Sequence, residues 1–317
     1  YSASSTIAIN THDQYYFYIQ RHLIRLSISI FALFIIYNIN FQWFKKFSYE
    51  ILFLSWIIMI SAYFFNDNTA TKRWLILFGK NIFTTSDFAR IALIIFTANF
   101  IESNKKKIND LSLIIKKYLP FFAGTLLLIF FQPDLSTTFA TTLIITTMLI
   151  ISGFRIKNLF LPLAISLSVV IIKVINTPFQ YSRFMNWYNG NYNQQTENSI
   201  QALGNGGILG VGFGKSIIKN GFMPEVHTDF ILPIIGEEIG FIGILIIFSL
   251  YLILYFYGVH ICKSAPDIFS SMLSIGITIN ILFYFLINAS YVVGILPTTG
   301  LPIPFISYGG SQLLFSF

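Results

Sequence analysis

The feature that most constrains this chain is a succession of apolar runs whose lengths approach the thickness of a bilayer. Runs near residues 22–37, 49–65, 88–101, 118–131, 137–152, 159–176, 230–257 and 268–290 are long enough, or nearly so, to carry a helix across about 30 Å of hydrocarbon. They predict an all-α fold, a polytopic membrane helix bundle with about eight transmembrane helices. Composition points the same way, since 55% of the 317 residues are hydrophobic and 10% charged, against about a quarter charged in ordinary soluble domains. The mean hydropathy of +0.70 excludes a soluble enzyme and a disordered chain. One integral membrane domain over 1–317 is expected. The chain opens at Tyr1 rather than Met and ends at Phe317 as an apolar run begins, so it reads as trimmed at both ends.

Charge sets orientation. Twenty Lys and Arg against 13 Asp and Glu give a net charge of +7, and no basic stripe interleaved with aromatics suggests nucleic acid. The clusters Lys45-Lys46, Lys105-Lys106-Lys107 with Lys116-Lys117, Arg155 with Lys157, and Lys263 fall in alternate loops, which the positive-inside tendency assigns to the cytoplasm. The outer connections are then the opening segment, residues 66–87, the turn Gln132-Pro133-Asp134, a large extracytoplasmic loop at 177–229, and residues 291–310. The centre of the large loop, 188–198, is rich in Asn and Gln and expected to be mobile. The run 118–131 is short for a span, so the Gln-Pro-Asp turn should lie below the membrane surface with Asp134 facing protein.

Several groups could carry chemistry. The densest ionisable stretch runs from Glu225 through His227 to Asp229 and into an apolar helix bearing Glu237 and Glu238. A carboxylate at a water-to-membrane boundary suits proton transfer, though Asp229 could equally cap that helix, and Glu237 or Glu238 could fix helix packing. His227 could relay a proton; with no second His nearby a metal site is not expected, and the single cysteine, Cys262, excludes a disulfide or a Cys-based cluster. Lys72, Arg73 and Trp74 form an interfacial group suited to membrane anchoring or to phosphate. Asp87 and Arg90, three apart, can pair and could include Asp134. The glycine-dense segment 204–214, flanked by Lys215 and Lys219, could offer amides to a phosphate or serve close packing, and packing is the stronger reading. Residues 296–311, punctuated by Pro297, Gly300, Pro304, Ser307, Gly309 and Gly310, break helix at membrane depth and should line a cavity.

Seven ordered blocks, Tyr1–Ser4, Lys72–Trp74, Ser86–Arg90, Gln132–Thr137, Ala202–Gly214, Pro224–Gly240 and Leu296–Ser311, resemble the SEDS family (shape, elongation, division and sporulation), membrane glycosyltransferases that polymerise lipid-linked peptidoglycan precursor. The segments around Val211–Ser216 and Ile235–Glu238 look more like the division branch than the elongation branch. The resemblance implies a ten-helix fold, of which this chain would lack the first and last helices. It places the family's catalytic carboxylate on Asp229, its buried structural carboxylate on Asp134, and a helix charge pair on Asp87 and Arg90, where Glu and Lys are usual. It departs from the family in holding one arginine, Arg183, where several basic residues are common before Gln201, and in Ser136 and Thr69, where Gly is usual.

What the resemblance implies is polymerisation of lipid II into glycan strands at the outer face of the cytoplasmic membrane, at the division septum, with Asp229 as general base. Lys72, Arg73, Arg183, Lys215 and His227 would meet substrate or its diphosphate. No tightly bound cofactor is implied, only a divalent cation such as Mg or Mn accompanying the diphosphate. The implied partners are lipid II, undecaprenyl-diphosphate-linked glycan, a class B penicillin-binding transpeptidase and other divisome proteins. Three rival readings are a lipid II flippase, a non-catalytic division scaffold, and an elongation rather than a division role.

Overall fold

The computed structural model of the chain describes residues 2–4, 8–9, 13–65, 72–77, 80–219 and 228–317. Its elements in order are α1 (Phe17–Asn38), α2 (Gln42–Lys46), α3 (Ser48–Phe65), β1 (Trp74–Leu77), β2 (Lys80–Thr84), α4 (Thr85–Ser103), α5 (Leu111–Phe131), α6 (Leu135–Ile151) and α7 (Ile156–Asn176). They continue with α8 (Pro178–Tyr188), α9 (Gln194–Gly206), α10 (Ile231–Ile239), α11 (Phe241–Ser264), α12 (Ile268–Val292) and α13 (Gly310–Ser316). Four helices, α1, α5, α11 and α12, are each long and apolar enough to cross a bilayer, and α3 and α6 are shorter apolar helices. Large side chains such as Phe31, Phe34, Leu250 and Phe256 stand well exposed along α1 and α11, as expected where lipid rather than water is the solvent. The chain is an all-α, multi-pass membrane protein; its sheet is one antiparallel hairpin, Trp74 opposite Thr84 and Leu77 opposite Lys80, with a bulge between Leu75 and Ile76.

Three local expectations change. The run 230–257 is two helices, because Gly240 takes φ +81 between α10 and α11, a left-handed conformation that only glycine adopts without strain. The run 118–131 is the end of a 21-residue span: α5 carries a π-helical turn at Ile114–Tyr118 that includes Lys116 and Lys117, and long ammonium side chains at a helix end can snorkel to water. The segment 188–198 enters α9, whose start is capped by Asn193 Oδ1 accepting from Thr196 N at 3.0 Å.

Backbone packing divides the chain into two compact units. The first comprises residues 1–34, 176–254 and 284–317; the second comprises 35–175 and 255–283. In the second, α4 is enclosed, with Ala89, Ala92, Leu93, Ile94 and Phe96 all without solvent exposure. Tyr118 sits 4.8 Å from Phe100 and 5.9 Å from Phe96 between ring centroids, and its hydroxyl lies 3.1 Å from Thr97 Oγ1, so its polar end is satisfied inside an apolar stack. At one end of this unit the loops read as cytoplasmic converge. Lys45 pairs with Glu102 at 2.6 Å, Asn109 Oδ1 accepts from Arg155 N at 2.7 Å, and Gln42 Nε2 donates to Asp267 Oδ2 at 2.8 Å.

Candidate functional site

In the first unit the glycine-dense segment after α9 folds back on α10. Val211 N donates to Glu237 O at 2.9 Å, Gly212 N to Glu238 O at 3.0 Å, and Phe241 N to Gly207 O at 2.9 Å. The first two bonds satisfy carbonyls that the end of α10 would leave orphaned. A Cβ on Gly206 would meet Gly236 O at 2.0 Å, so this contact of main chain with main chain requires glycine. Gly206 and Gly210 serve close packing against the α10 main chain. The α10 carboxylates point into the same junction. Glu237, fully buried, accepts from Ser216 Oγ and from Ile217 N. Glu238 pairs with Lys219 Nζ at 2.9 Å and accepts from Ser2 Oγ at 2.6 Å.

Asp229 lies in the turn 228–230 ahead of α10, half-buried. The N-cap position of α10 falls on Phe230, one residue after Asp229. Its main chain is held from α12: Asn288 Nδ2 donates to Asp229 O at 3.0 Å and the Tyr291 hydroxyl donates to the same oxygen at 2.8 Å. The carboxylate faces Gly300, where a Cβ would come 3.0 Å from Oδ2 and φ is +70. Arg183 on α8 donates from Nη1 to Thr298 O at 3.0 Å. Burial pulls the Arg183 guanidinium below its ordinary proton affinity, and the Asp229 carboxylate acts in the opposite direction. His227 lies outside the described residues, and Lys215 is exposed at the end of the glycine-dense loop.

The punctuated segment 297–309 is non-helical, and helices of its own unit satisfy its backbone. Asn288 Nδ2 donates to Leu301 O at 2.7 Å, the Tyr251 hydroxyl donates to Pro304 O, and Ser307 Oγ accepts from Ile303 N at 2.8 Å. Irregular main chain at membrane depth requires such partners. Pro297 and Thr298 border a cavity of about 470 Å³ with α8 and the start of α9. Further along, Tyr308 is stacked on His22 and lies under the Arg25 guanidinium at 4.9 Å, while a Cβ on Gly310 would meet Arg25 Cδ at 3.0 Å.

The second unit holds the other predicted charges. Asp134, 5% exposed, caps α6 by accepting from Thr137 N at 3.1 Å. It also accepts from Ser86 Oγ at 2.8 Å, with Arg73 Nη1 at 3.7 Å. Arg90, 1% exposed, donates to Asp87 Oδ1 at 2.7 Å, and Thr84 Oγ1 donates to the other Asp87 oxygen. Arg73 is thus engaged with Asp134, and Lys72 lies 4.7 Å from the Tyr63 ring centroid, an anchoring contact. Gln132, not singled out from the sequence, ties the Gln-Pro-Asp turn to its neighbours: Oε1 accepts from Thr85 Oγ1 and Nε2 donates to Met59 O, both at 3.0 Å.

Compared with known proteins, residues 1–317 match the family described as "Cell cycle protein", which groups FtsW, RodA and SpoVE. The chain belongs to this family. It is 32% identical to the probable peptidoglycan glycosyltransferase FtsW of Trichlorobacter lovleyi, covering 100% of this chain and 85% of that protein. It is 32% identical to the stage V sporulation protein E of Bacillus subtilis, covering 99% and 87%. Among solved structures, the fold is shared with a chain of a peptidoglycan synthase complex described for its coordination of polymerization and crosslinking (TM-score 0.78, 18% identity, 99% and 90% coverage). It is shared as well with the rod shape determining protein RodA of Thermus thermophilus (TM-score 0.70, 18% identity, 99% and 89% coverage).

Within this family framework, sequence reasoning missed Lys219 as the partner of Glu238, and Asn288 and Tyr291 as the supports of Asp229. Signals were present for Lys219 and Asn288. A lysine flanked by Ile218 and an asparagine inside the apolar run 268–290 are both costly unless satisfied.

Proposed function

We propose that the chain is a peptidoglycan glycosyltransferase that polymerises lipid II at the outer face of the cytoplasmic membrane, with Asp229 as general base. The observation that carries the assignment is the treatment of Asp229. Two side chains of α12 grip its carbonyl, glycine at position 300 leaves room for its carboxylate, and Arg183 acts on the same group. A carboxylate fixed through its main chain can change protonation state without losing its position.

In the reaction, a hydroxyl of the acceptor sugar attacks the anomeric carbon of a polyprenyl-diphosphate-linked glycan. The new C–O bond forms as the bond to the diphosphate breaks, the diphosphate leaves with the electron pair, and the hydroxyl proton passes to Asp229. Lys215 is the cation of the first unit proposed to offset charge on the departing diphosphate, while Arg183, in the wall of the cavity beside α8, is proposed to act on the Asp229 carboxylate. A divalent cation is proposed to arrive on the diphosphate as part of the substrate.

The names of the curated relatives support a division role at the septum, and the peptidoglycan synthase complex supports a class B penicillin-binding transpeptidase as partner. The test is reconstitution of the full-length protein with that partner and lipid-linked disaccharide precursor. Wild type should yield glycan polymer on a gel and Asp229→Ala none. Precursor crossing sealed vesicles without new glycosidic bonds would overturn the reading in favour of transport. Division supported by an inactive Asp229→Asn variant would favour a scaffold.

A further inference from the structure

The cavity beside α8 has a lining unlike that required by a diphosphate. Its volume, about 470 Å³, lies within the roughly 300–1,000 Å³ of small-molecule sites. Three aromatic residues, Phe179, Trp187 and Tyr192, stand in its wall, and the last two lie against Gly294. Trp187 Nε1 donates to Gly294 O at 2.9 Å, and a Cβ on Gly294 would meet the Tyr192 ring at 3.2 Å. Asn186, Gln194 and Gln195 add side-chain amides to the lining. Among the described residues that line it Arg183 is the one cation, and that guanidinium already bonds to Thr298 O and lies 4.8 Å from the Phe179 ring centroid.

A diphosphate offers acceptors only, together with negative charge, and calls for several cationic donors. Sugar hydroxyls and acetamido groups both donate and accept, as do carboxamides. The weakly positive C–H face of a pyranose suits the negative face of an aromatic ring. The lining therefore matches sugar chemistry. The cavity also lies close to the base along the chain: Gly300, which faces the Asp229 carboxylate, is two positions after Thr298, in its wall. Two residues span at most about 7 Å.

We propose that this cavity is a saccharide subsite that takes the N-acetylated hexopyranose rings of the glycan, with the diphosphate outside it. The proposal rests on the glycosyltransferase reading for its substrate class, but it is tested by binding alone. Saturation-transfer NMR on the full chain in nanodiscs, with a soluble β-linked N-acetylglucosamine tetramer as probe, should show binding to wild type. The Kd should rise about tenfold or more in Trp187→Ala and in the double variant Asn186→Ala/Gln195→Ala, the latter guarding against misfolding of the former. Inorganic pyrophosphate should not displace the tetramer, and Asp229→Ala should still bind it. Absent binding to wild type, binding indifferent to the double variant, or displacement by pyrophosphate would each overturn the subsite. If polymerisation succeeds and these binding results fail, only the subsite falls. If cavity-dependent binding holds while an active partner complex makes no polymer, the glycosyltransferase reading falls and the subsite stands.

Discussion

Asp134 and Asp229 are both aspartates at the entry to an apolar helix, and the fold treats them in opposite ways. At Asp134 the carboxylate itself is the object of the surrounding contacts: a helix amide, a serine hydroxyl and an arginine converge on its two oxygens. At Asp229 the scaffold grips the main-chain carbonyl, through Asn288 and Tyr291, and glycine stands opposite the carboxylate. A carboxylate on which helix amide, hydroxyl and guanidinium donors converge contributes to structure. A charge positioned through its backbone can serve a reaction. The contrast shows why one acidic residue in this family fold is read as architecture and another as chemistry.

The sharpest way to break the comparison is to remove each carboxylate. Asp229→Ala should lower polymerisation by about 10²–10⁴-fold, the usual contribution of a positioned general base, and leave the thermal unfolding midpoint in detergent near wild type because its backbone bonds survive. A large drop in that midpoint would place Asp229 with Asp134. A related test concerns the buried pair of the first unit. Lys219→Met strands Glu238 among the α10 contacts and should cost about 3–5 kcal/mol by denaturant titration. Adding Glu238→Gln should recover most of that loss; no recovery would mean that Lys219 acts through its packing alone.

Asp134→Ala comes next. Ser86, Arg73 and the Thr137 amide would each lose their acceptor, and the expected cost is about 1–3 kcal/mol, with polymerisation per folded molecule little changed. A variant that melts like wild type but is inactive would move Asp134 into the reaction. Gly300→Ala should have a smaller effect on stability, about 1–2 kcal/mol for forcing a side chain into the left-handed region. Its Cβ would press on the Asp229 carboxylate, so turnover should fall more than stability; equal losses would argue that the 300 turn is only structural.

How far these roles were legible depends on the range of the interactions. Asp87 and Arg90 share a helix face by spacing alone, and the basic loops converge as their alternation implied. The inward aim of Asp134 followed from the cost of a charge beside membrane-depth backbone. Pairing of Lys219 with Glu238 was not legible, because hydropathy records that a charge is expensive and not which distant residue relieves it. The α10–α11 break at Gly240 was hidden for a related reason: hydropathy is blind to chain direction, and the reversal depends on a left-handed φ that sequence permits without announcing. The helix α9 escaped notice because polar composition was weighed above the Asn193 cap that starts it.

The smallest expected effect lies at the end of the second unit where Gln42 meets Asp267, and offers a control on both acidic sites. Asp267 caps α12, accepting from Ser270 N at 2.7 Å and from Gln42 Nε2 at 2.8 Å. Its hydrogen bonds with Ser270 hold its proton affinity below the ordinary aspartate value of 3.8, with Gln42 and the Lys45 charge acting in the same direction. A depressed native value means that the carboxylate stabilises the fold above about pH 4 and that this contribution is lost as pH falls through the native value. Asp267→Ala should therefore cost about 1 kcal/mol at pH 7, the usual worth of a cap, and the gap to wild type should narrow in unfolding titrations run toward pH 3. Asp267→Asn, which keeps a capping oxygen, should lose less and show a flatter pH dependence. A gap that persists unchanged at pH 3 would mean that the residue acts through packing rather than charge. Polymerisation at neutral pH should remain close to wild type in either variant, which separates the loss of a carboxylate that caps a helix from the loss of one proposed to accept a proton.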